Sequence, residues 1–121
     1  MAKRNPPKPP AGLRRGGAAL WRRIVATIDV EPWEAEHLRL ACEQRDLADD
    51  LARLLAEQGL VVTGSLGQEK LNPAAAELRA ARAAVSAHLA RLKWPEAESG
   101  RRAGTFDSAK GRAAAMARWH G

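Results

Sequence analysis

The glycine-rich segment GSLGQEK, residues 64–70, contains the residue types of a phosphate-binding loop. In such a loop, backbone N–H groups cradle phosphates and a lysine reaches the β- and γ-phosphates. The motif requires Gly, four residues, and then Gly-Lys-Ser or Gly-Lys-Thr, whereas Lys70 follows Glu69 and precedes Leu71. No parallel-sheet pattern surrounds the segment either. We therefore expect no ATP binding here.

The three histidines and the single cysteine are the candidate metal ligands and nucleophiles. His37, His88 and His120 stand in three different segments. Cys42 follows His37 by five positions, which places the two side chains on different faces of a helix. No pair has the spacing of metal ligands or of a Cys–His nucleophile, and one cysteine excludes an internal disulfide. We expect no metal, no cofactor and no catalytic site, and we interpret Cys42 as a small buried apolar residue.

Basic residues are concentrated at the two ends of the chain, which has a net charge of +6. Residues 1–23 hold seven Lys and Arg and no acidic residue, residues 24–94 hold eight basic and eleven acidic residues, and residues 95–121 hold five basic and three acidic residues. Such ends are typical of proteins that bind a polyanion, because neutralised phosphates release counterions. Solvated tails that keep the protein soluble are the alternative interpretation.

Apolar periodicity predicts three helices to carry these charges. Residues 1–12, with four prolines, predict a disordered or extended basic arm, and residues 18–28 a short first helix with apolar and basic faces. Pro32 predicts the start of a long second helix and Gly59 its C-terminal cap. Asn72-Pro73 predicts the start of a third helix, which Pro95 terminates. The second and third helices are predicted to pair in antiparallel fashion.

The second predicted helix has two apolar stripes. Residues at alternating four- and three-residue spacings form the first, a coiled-coil type of pattern. The second runs beside it through Leu38, Ala41, Ala48 and Leu55. We call four members of the first the leucine stripe: Leu40, Leu47, Leu51 and Leu54.

A short β-hairpin is predicted at residues 60–71, between the second and third helices. Leu60 to Thr63 has β-branched strand character, and Gly64 and Gly67 suit a tight turn. An isolated hairpin is marginal in water, so the helix pair or a neighbouring subunit must cover it. The predicted fold is mainly α, with a helical oligomerisation core at residues 13–94 and a basic tail or short helix at 95–121.

Size and hydropathy restrict the environment of this fold. A chain of 121 residues supports one small core, for which oligomerisation is a common remedy. No apolar run approaches the roughly 18 residues of a membrane helix, and no apolar segment follows the N-terminal basic residues. We expect a cytosolic protein.

The order of these parts resembles a known family. GLRRGGAALWRRIV leads into a long helix, then LVVTGSLGQEKLNPAAAELR at residues 60–79, and Arg118-Trp119 stands near the end. This is similar to the small terminase subunit of tailed double-stranded-DNA phages, in the branch of cohesive-end siphophages. The resemblance implies a non-enzymatic, ring-forming protein that binds the packaging-initiation site and recruits the large ATPase–nuclease subunit in the host cytoplasm. Glu69 departs from the proline or basic residue that would be unsurprising there, which favours an assembly role for the hairpin.

The resemblance assigns roles to particular residues. The side chains predicted to contact DNA are Arg14, Arg15, Arg22, Arg23, Arg101, Arg102, Lys110, Arg112 and Arg118, with Lys3, Arg4 and Lys8 adding diffuse attraction. The residues predicted to mediate oligomerisation are Leu40, Leu47, Leu51, Leu54, Val61, Leu78, Val85 and Leu92. Trp119 is predicted to dock the large subunit. The alternatives are a coiled-coil adaptor whose basic tails bind an acidic protein, and a small transcriptional DNA binder, which the long link between helices fits poorly.

Overall fold

Three helices and one hairpin make up residues 6–95, the part of the chain that the structure, a computed structural model, describes. The elements are α1 (Arg15–Thr27), α2 (Pro32–Gln58), β1 (Val61–Thr63), β2 (Glu69–Leu71) and α3 (Pro73–Leu89). The mainly helical fold with a small antiparallel hairpin is as predicted. The basic arm is described only from Pro6 onward, and the C-terminal tail beyond Pro95 lies outside the described residues.

Both ends of α2 follow from local signals. Pro32 occupies the first turn, where its missing N–H costs no hydrogen bond. Glu31 and Glu34 form a reciprocal capping box, in which Glu34 accepts the Glu31 backbone N–H at 2.9 Å. At the other end Gly59 adopts φ +90° and donates its N–H to the Leu55 carbonyl at 2.7 Å. The predicted bounds of this helix are confirmed.

The first helix starts three residues earlier than predicted, at Arg15 rather than Ala18. The carboxylate of Asp46 in α2 accepts the backbone N–H groups of Arg14 and Gly17, both at 2.7 Å. These are N–H groups that the first turn of a helix leaves without partners in its own helix. The additional turn therefore depends on an acceptor that lies outside the helix.

Asn72 joins the hairpin to both neighbouring helices. Its side-chain oxygen accepts the Ala74 N–H and caps α3, while its amide N–H₂ group donates to the Gln58 side chain and to the Gly59 carbonyl at 3.0 and 2.9 Å. Its backbone N–H donates to the Leu60 carbonyl at 2.7 Å. This buried residue therefore connects the end of α2, the base of the hairpin and the start of α3.

The core lies where α1 and α3 pack on the same side of α2. α2 and α3 are antiparallel, because His37 near the start of α2 meets His88 near the end of α3, and Glu34 accepts the Lys93 backbone N–H at 2.5 Å. The larger cluster of buried residues comprises Leu20, Trp21, Ile24, Ile28, Leu38, Ala41, Cys42, Val85, Leu89 and Leu92. A smaller one comprises Ala48, Leu78 and Ala81. The face of α2 that enters the core thus carries Leu38, Ala41 and Ala48, and from the leucine stripe Leu51 packs at the edge of the smaller cluster.

Candidate nucleic-acid interface

The outer face of α1 is basic and smooth. Arg15, Arg22 and Arg23 are exposed on the side of α1 that faces away from the core, and Ala19 and Ala26 lie exposed between them. We call these five residues the α1 basic face. Arg15 and Arg22 are seven residues apart, about 10 Å along the helix axis, so their guanidinium groups can reach different phosphates. Since α1 contains no acidic residue and alanine side chains are short, the helix can approach a polyanion closely.

Arg14, which was also predicted to contact DNA, is held within the protomer. One guanidinium nitrogen donates to Asp50 at 2.6 Å and to the backbone carbonyl of Asp46 at 3.3 Å. The hydrogen bond and charge of Asp50 raise the pKa of Arg14 above its usual value. To contact a phosphate, Arg14 would have to exchange one anion for another. The structure therefore places Arg14 in the contact between α1 and α2.

Paired charges surround the start of α1. Arg45 contacts Asp49 at 3.2 Å, and Arg53 contacts Asp50, the partner of Arg14. The N-terminus of α1 is already filled by the Asp46 carboxylate, which takes the place that a bound anion would occupy at a helix start. An anion that approached α1 would therefore meet its outer face and not its N-terminus.

The leucine stripe of α2 faces outward in the protomer. Leu47 and Leu54 are 43% and 38% exposed, and Leu40 and Leu51 are half-buried. Trp33 extends the stripe towards the start of α2, with 57% of its surface exposed. Trp33, Leu47 and Leu54 are thus large apolar side chains that stay exposed within residues 6–95, whereas Leu51 packs against the smaller core cluster.

Exposed apolar residues continue into the hairpin. Leu60, Val61 and Leu71 are all more than half exposed, and Val61 lies opposite Leu71 in the strand register. Apolar surface of this extent is typical of a protein–protein contact. Of the eight residues predicted to mediate oligomerisation, Leu47, Leu54 and Val61 are exposed at this surface, and Leu40 and Leu51 are half-buried, Leu51 against the smaller core cluster.

The other three predicted oligomerisation residues belong to the protomer core. Leu78, Val85 and Leu92 are 9%, 7% and 4% exposed. They face α2 and α1, because the small residues Ala41, Cys42 and Ala48 let the helices pack closely. Within the protomer these three side chains are therefore core residues.

The histidines and the cysteine form no metal site within residues 6–95, where no group of three or more His, Cys, Asp or Glu side chains is placed to hold an ion. His37 and His88 contact each other, with 3.2 Å between their Nδ1 atoms. Cys42 is fully buried, as predicted, and burial raises the pKa of its thiol to about 12. Arg101, Arg102, Lys110, Arg112, Arg118 and Trp119 lie outside the described residues.

The sequence analysis did not predict two contacts of the interface region. The sequence analysis gave Asp46 no role, and no residue pattern linked Trp21 to the proline-rich arm, where its indole Nε1 donates to the Pro7 carbonyl oxygen at 2.9 Å. A signal for the first contact was present in Gly16-Gly17. A Cβ atom on Gly17 would lie 2.6 Å from the Cys42 carbonyl oxygen, so this glycine is required for close contact between helices.

The sequence of this chain matches a known protein family. Residues 17–99, more than half of the chain, match the family model of the phage terminase small subunit. The match includes α2, the hairpin and α3 in full, and α1 from Gly17 onward. No curated protein and no solved structure shows significant similarity to the chain. No helix within residues 6–95 has the length and apolar character needed to cross a membrane.

The chain belongs to the family of phage terminase small subunits. Family membership supports a role in packaging phage genomes. The α1 basic face and the exposed part of the leucine stripe are the two described surfaces that bear on this role.

Proposed function

We propose that this protein binds viral DNA as a cyclic homo-oligomer and recruits or regulates the large terminase subunit in the host cytoplasm, without enzymatic activity of its own. The phage belongs, on this proposal, to the cohesive-end siphophage branch. The observation that carries the proposal is the separation of two surfaces on one small protomer. The α1 basic face serves the DNA, and the leucine stripe with the hairpin serves the neighbouring subunit.

The leucine stripe supports assembly because its exposed residues are larger, more apolar and more regularly spaced than those of an ordinary solvent-exposed helix face. Burying the exposed remainder of Leu47 and Leu54, 43% and 38% of their surfaces, against another subunit would contribute roughly 0.6–1.2 kcal/mol for each. In a ring every subunit repeats the contact, and the basic face and the basic ends of all subunits act together. Weak phosphate contacts then gain affinity through effective concentration.

DNA binding is tested by measuring affinity for duplex DNA over a range of salt concentrations. The variant R15Q/R22Q removes two charges from the α1 basic face, and R39Q/R53Q removes two from α2. Arg39 and Arg53 are matched controls, since each is already paired with acidic side chains. We expect the first variant to reduce the log–log salt slope by about 0.9 for each phosphate that is no longer neutralised, and the second to change it little. Equal effects of both variants, or no DNA binding by the wild type, would refute the assignment.

Assembly is tested by light scattering and electron microscopy of the full chain. The variant L47E/L54E places charges on the leucine stripe, and L66E places one on the hairpin turn, where Leu66 is 89% exposed. We expect closed rings for the wild type and for L66E, and smaller species for L47E/L54E. A wild-type monomer would contradict the proposal.

A second candidate is a coiled-coil adaptor whose basic tails bind an acidic protein. The four- and three-residue spacing of the leucine stripe favours it, because a two-stranded coiled coil uses the same pattern. A dimer that shows no retention on DNA at low salt would favour this candidate. Deletion of residues 95–121 tests the proposed recruitment role of Trp119, by loss of large-subunit binding while the ring remains intact.

A further inference from the structure

A groove runs along the first half of α3, where the smaller core cluster beneath it is formed by α2 and α3 alone. The groove has a volume of about 310 Å³ and is lined by Ala75, Leu78, Arg79, Arg82 and Ala83. We call it the α3 groove. Leu78 is buried in the smaller cluster and forms the apolar floor, whereas both arginines are exposed. The α3 groove is therefore apolar inside, positively charged at its border and without an acidic residue in its lining.

The size and the charge of the α3 groove suit side chains of another helix. Its volume lies at the lower limit of ligand pockets, which is about 300 Å³. Ala76 and Ala80 beside it are exposed and short, so a second helix can approach α3 closely. Arg79 forms no ion pair within residues 6–95. A fitting occupant therefore combines a large apolar side chain with a neighbouring negative charge.

The leucine stripe of α2 carries this combination at regular intervals. Three of its positions are each followed by an acidic residue three positions later, and residues at that spacing are neighbours on a helix surface. These pairs are Leu40 and Glu43, Leu47 and Asp50, and Leu54 and Glu57. The exposed leucines of α2 thus lie beside a row of acidic side chains with a seven-residue period.

The last of these pairs is the one that remains unneutralised. Glu43 contacts Arg39 at 2.7 Å, and Asp50 contacts two arginines. Glu57 is exposed and forms no ion pair within the part of the chain that the structure describes. Leu54 beside it is 38% exposed. Leu54 and Glu57 together therefore match the apolar floor and the positive border of the α3 groove.

We propose that the α3 groove receives Leu54 of a second copy of this chain, whose Glu57 pairs with Arg79. The inference rests on the proposed assembly and specifies which two surfaces meet. The leucine stripe lies on α2 and the groove on α3, and they share no residue, so each copy can use both at once. Contacts between two different surfaces repeat from copy to copy and close into a ring where the rotation allows it. A two-stranded coiled coil would instead pair stripe with stripe.

Chemical crosslinking of the full chain tests which surfaces meet. E57C places a thiol beside Leu54, and A83C places one in the α3 groove, while the native Cys42 is buried. With a short bis-maleimide we expect the double variant E57C/A83C to give a ladder of crosslinked multimers. Each single variant should remain uncrosslinked. The matched control E57C/A90C, with its second thiol at an exposed position at the other end of α3, should give no ladder.

Charge exchange tests the pairing of Glu57 with Arg79 independently. R79E and E57R should each raise the protein concentration needed for assembly about three- to tenfold, because each places like charges in contact. E57R/R79E should restore assembly, since the pair forms again with the signs exchanged. R91E makes the same charge reversal at an exposed arginine outside the groove and should assemble like the wild type. Light scattering measures assembly, and thermal unfolding checks each fold.

The outcomes separate this inference from the proposed function. A monomeric wild type would refute the proposed assembly and this pairing with it. Crosslinked dimers from E57C alone, or unchanged assembly of R79E, would leave the assembly intact and overturn the pairing. So would an R79E variant that assembles normally but binds DNA more weakly, which would assign Arg79 to phosphate contact. If R79E does not fold, A83W fills the groove without changing a charge and must cause the same loss of assembly.

Discussion

Asp46, in the middle of α2, accepts the backbone N–H of Gly17, in the first turn of α1, through one carboxylate oxygen at 2.7 Å. Its other oxygen accepts the Arg14 backbone N–H at the same distance. Arg14 occupies the N-cap position of α1 but forms no capping bond with its side chain. A residue of another helix therefore performs the capping, and its negative charge also suits the positive end of the helix dipole. One carboxylate both starts α1 and fixes its place on α2.

Removal of this carboxylate should destabilise the fold more than removal of a nearby surface acid. D46A leaves the buried Gly17 N–H without an acceptor, and we expect the free energy of unfolding to fall by about 2–3 kcal/mol. D50A breaks only the exposed ion pairs with Arg14 and Arg53, for which about 1 kcal/mol or less is expected. Urea unfolding at one fixed protein concentration measures both. Equal losses would contradict the capping role of Asp46.

The two glycines at the start of α1 should differ when each is replaced by alanine. A Cβ on Gly17 meets the Cys42 backbone carbonyl at 2.6 Å, which cannot move aside, so G17A should cost about 1–3 kcal/mol. A Cβ on Gly16 meets the Asp49 carboxylate, the end of a flexible and partly exposed side chain. G16A should be close to neutral, since alanine also favours the helix by up to about 1 kcal/mol. Urea unfolding measures the free energy of unfolding of both variants. A loss in G16A as large as that in G17A would contradict this account.

Much of the fold was predictable because its signals are local. Pro32 and Gly59 mark the ends of α2 through backbone geometry alone, and Asn72 before Pro73 marks the start of α3. The hairpin between them followed from β-branched residues next to Gly64 and Gly67. The basic character of Arg22 and Arg23 was equally visible, and their exposure follows from the apolar pattern of the rest of α1.

The pairing of surfaces was less predictable, because it depends on residues far apart in the sequence. Two apolar stripes run along α2, and their pattern did not decide which of them packs on α1 and α3. The structure buries Leu38, Ala41 and Ala48, because short side chains permit close approach of α1 and α3. Likewise Arg14 looked the same as Arg15 in the sequence. Only the fold brings Asp50 to Arg14 and leaves Arg15 on the outer face.

Cys42 should resist thiol reagents as long as the protein is folded. The thiolate is the reactive form, and burial, followed by the charge of Asp46, raises the pKa of this thiol to about 12. At pH 8 we expect labelling to proceed at the rate of unfolding and to be complete in denaturant. Absorbance of a released thiol chromophore follows the reaction. Fast labelling of the native chain, at a rate that does not depend on the stability of the fold, would show that the Cys42 side chain is accessible.

His37 and His88 meet where the start of α2 packs on the end of α3. Their Nδ1 atoms are 3.2 Å apart, so one must carry a proton and donate while the other accepts. Burial, then the charge of His37 and that of Arg91, lower the pKa of His88 below 6.5. Two fully protonated rings cannot form this bond, because both Nδ1 atoms would be donors.

Mild acid should therefore weaken the fold through His88. Below pH 6.5 the unfolded chain binds this proton more readily than the folded chain, so the free energy of unfolding falls as the pH drops from 6.5 towards the lowered pKa of folded His88. Above 6.5 both forms are neutral and the effect vanishes. One group contributes a slope of at most about 1.4 kcal/mol per pH unit. Urea unfolding between about pH 5 and 8 should show this slope in the wild type and in H120Q, and a smaller one in H88Q, whose side chain does not titrate. A slope in H88Q equal to that of the wild type would assign the acid sensitivity to other groups.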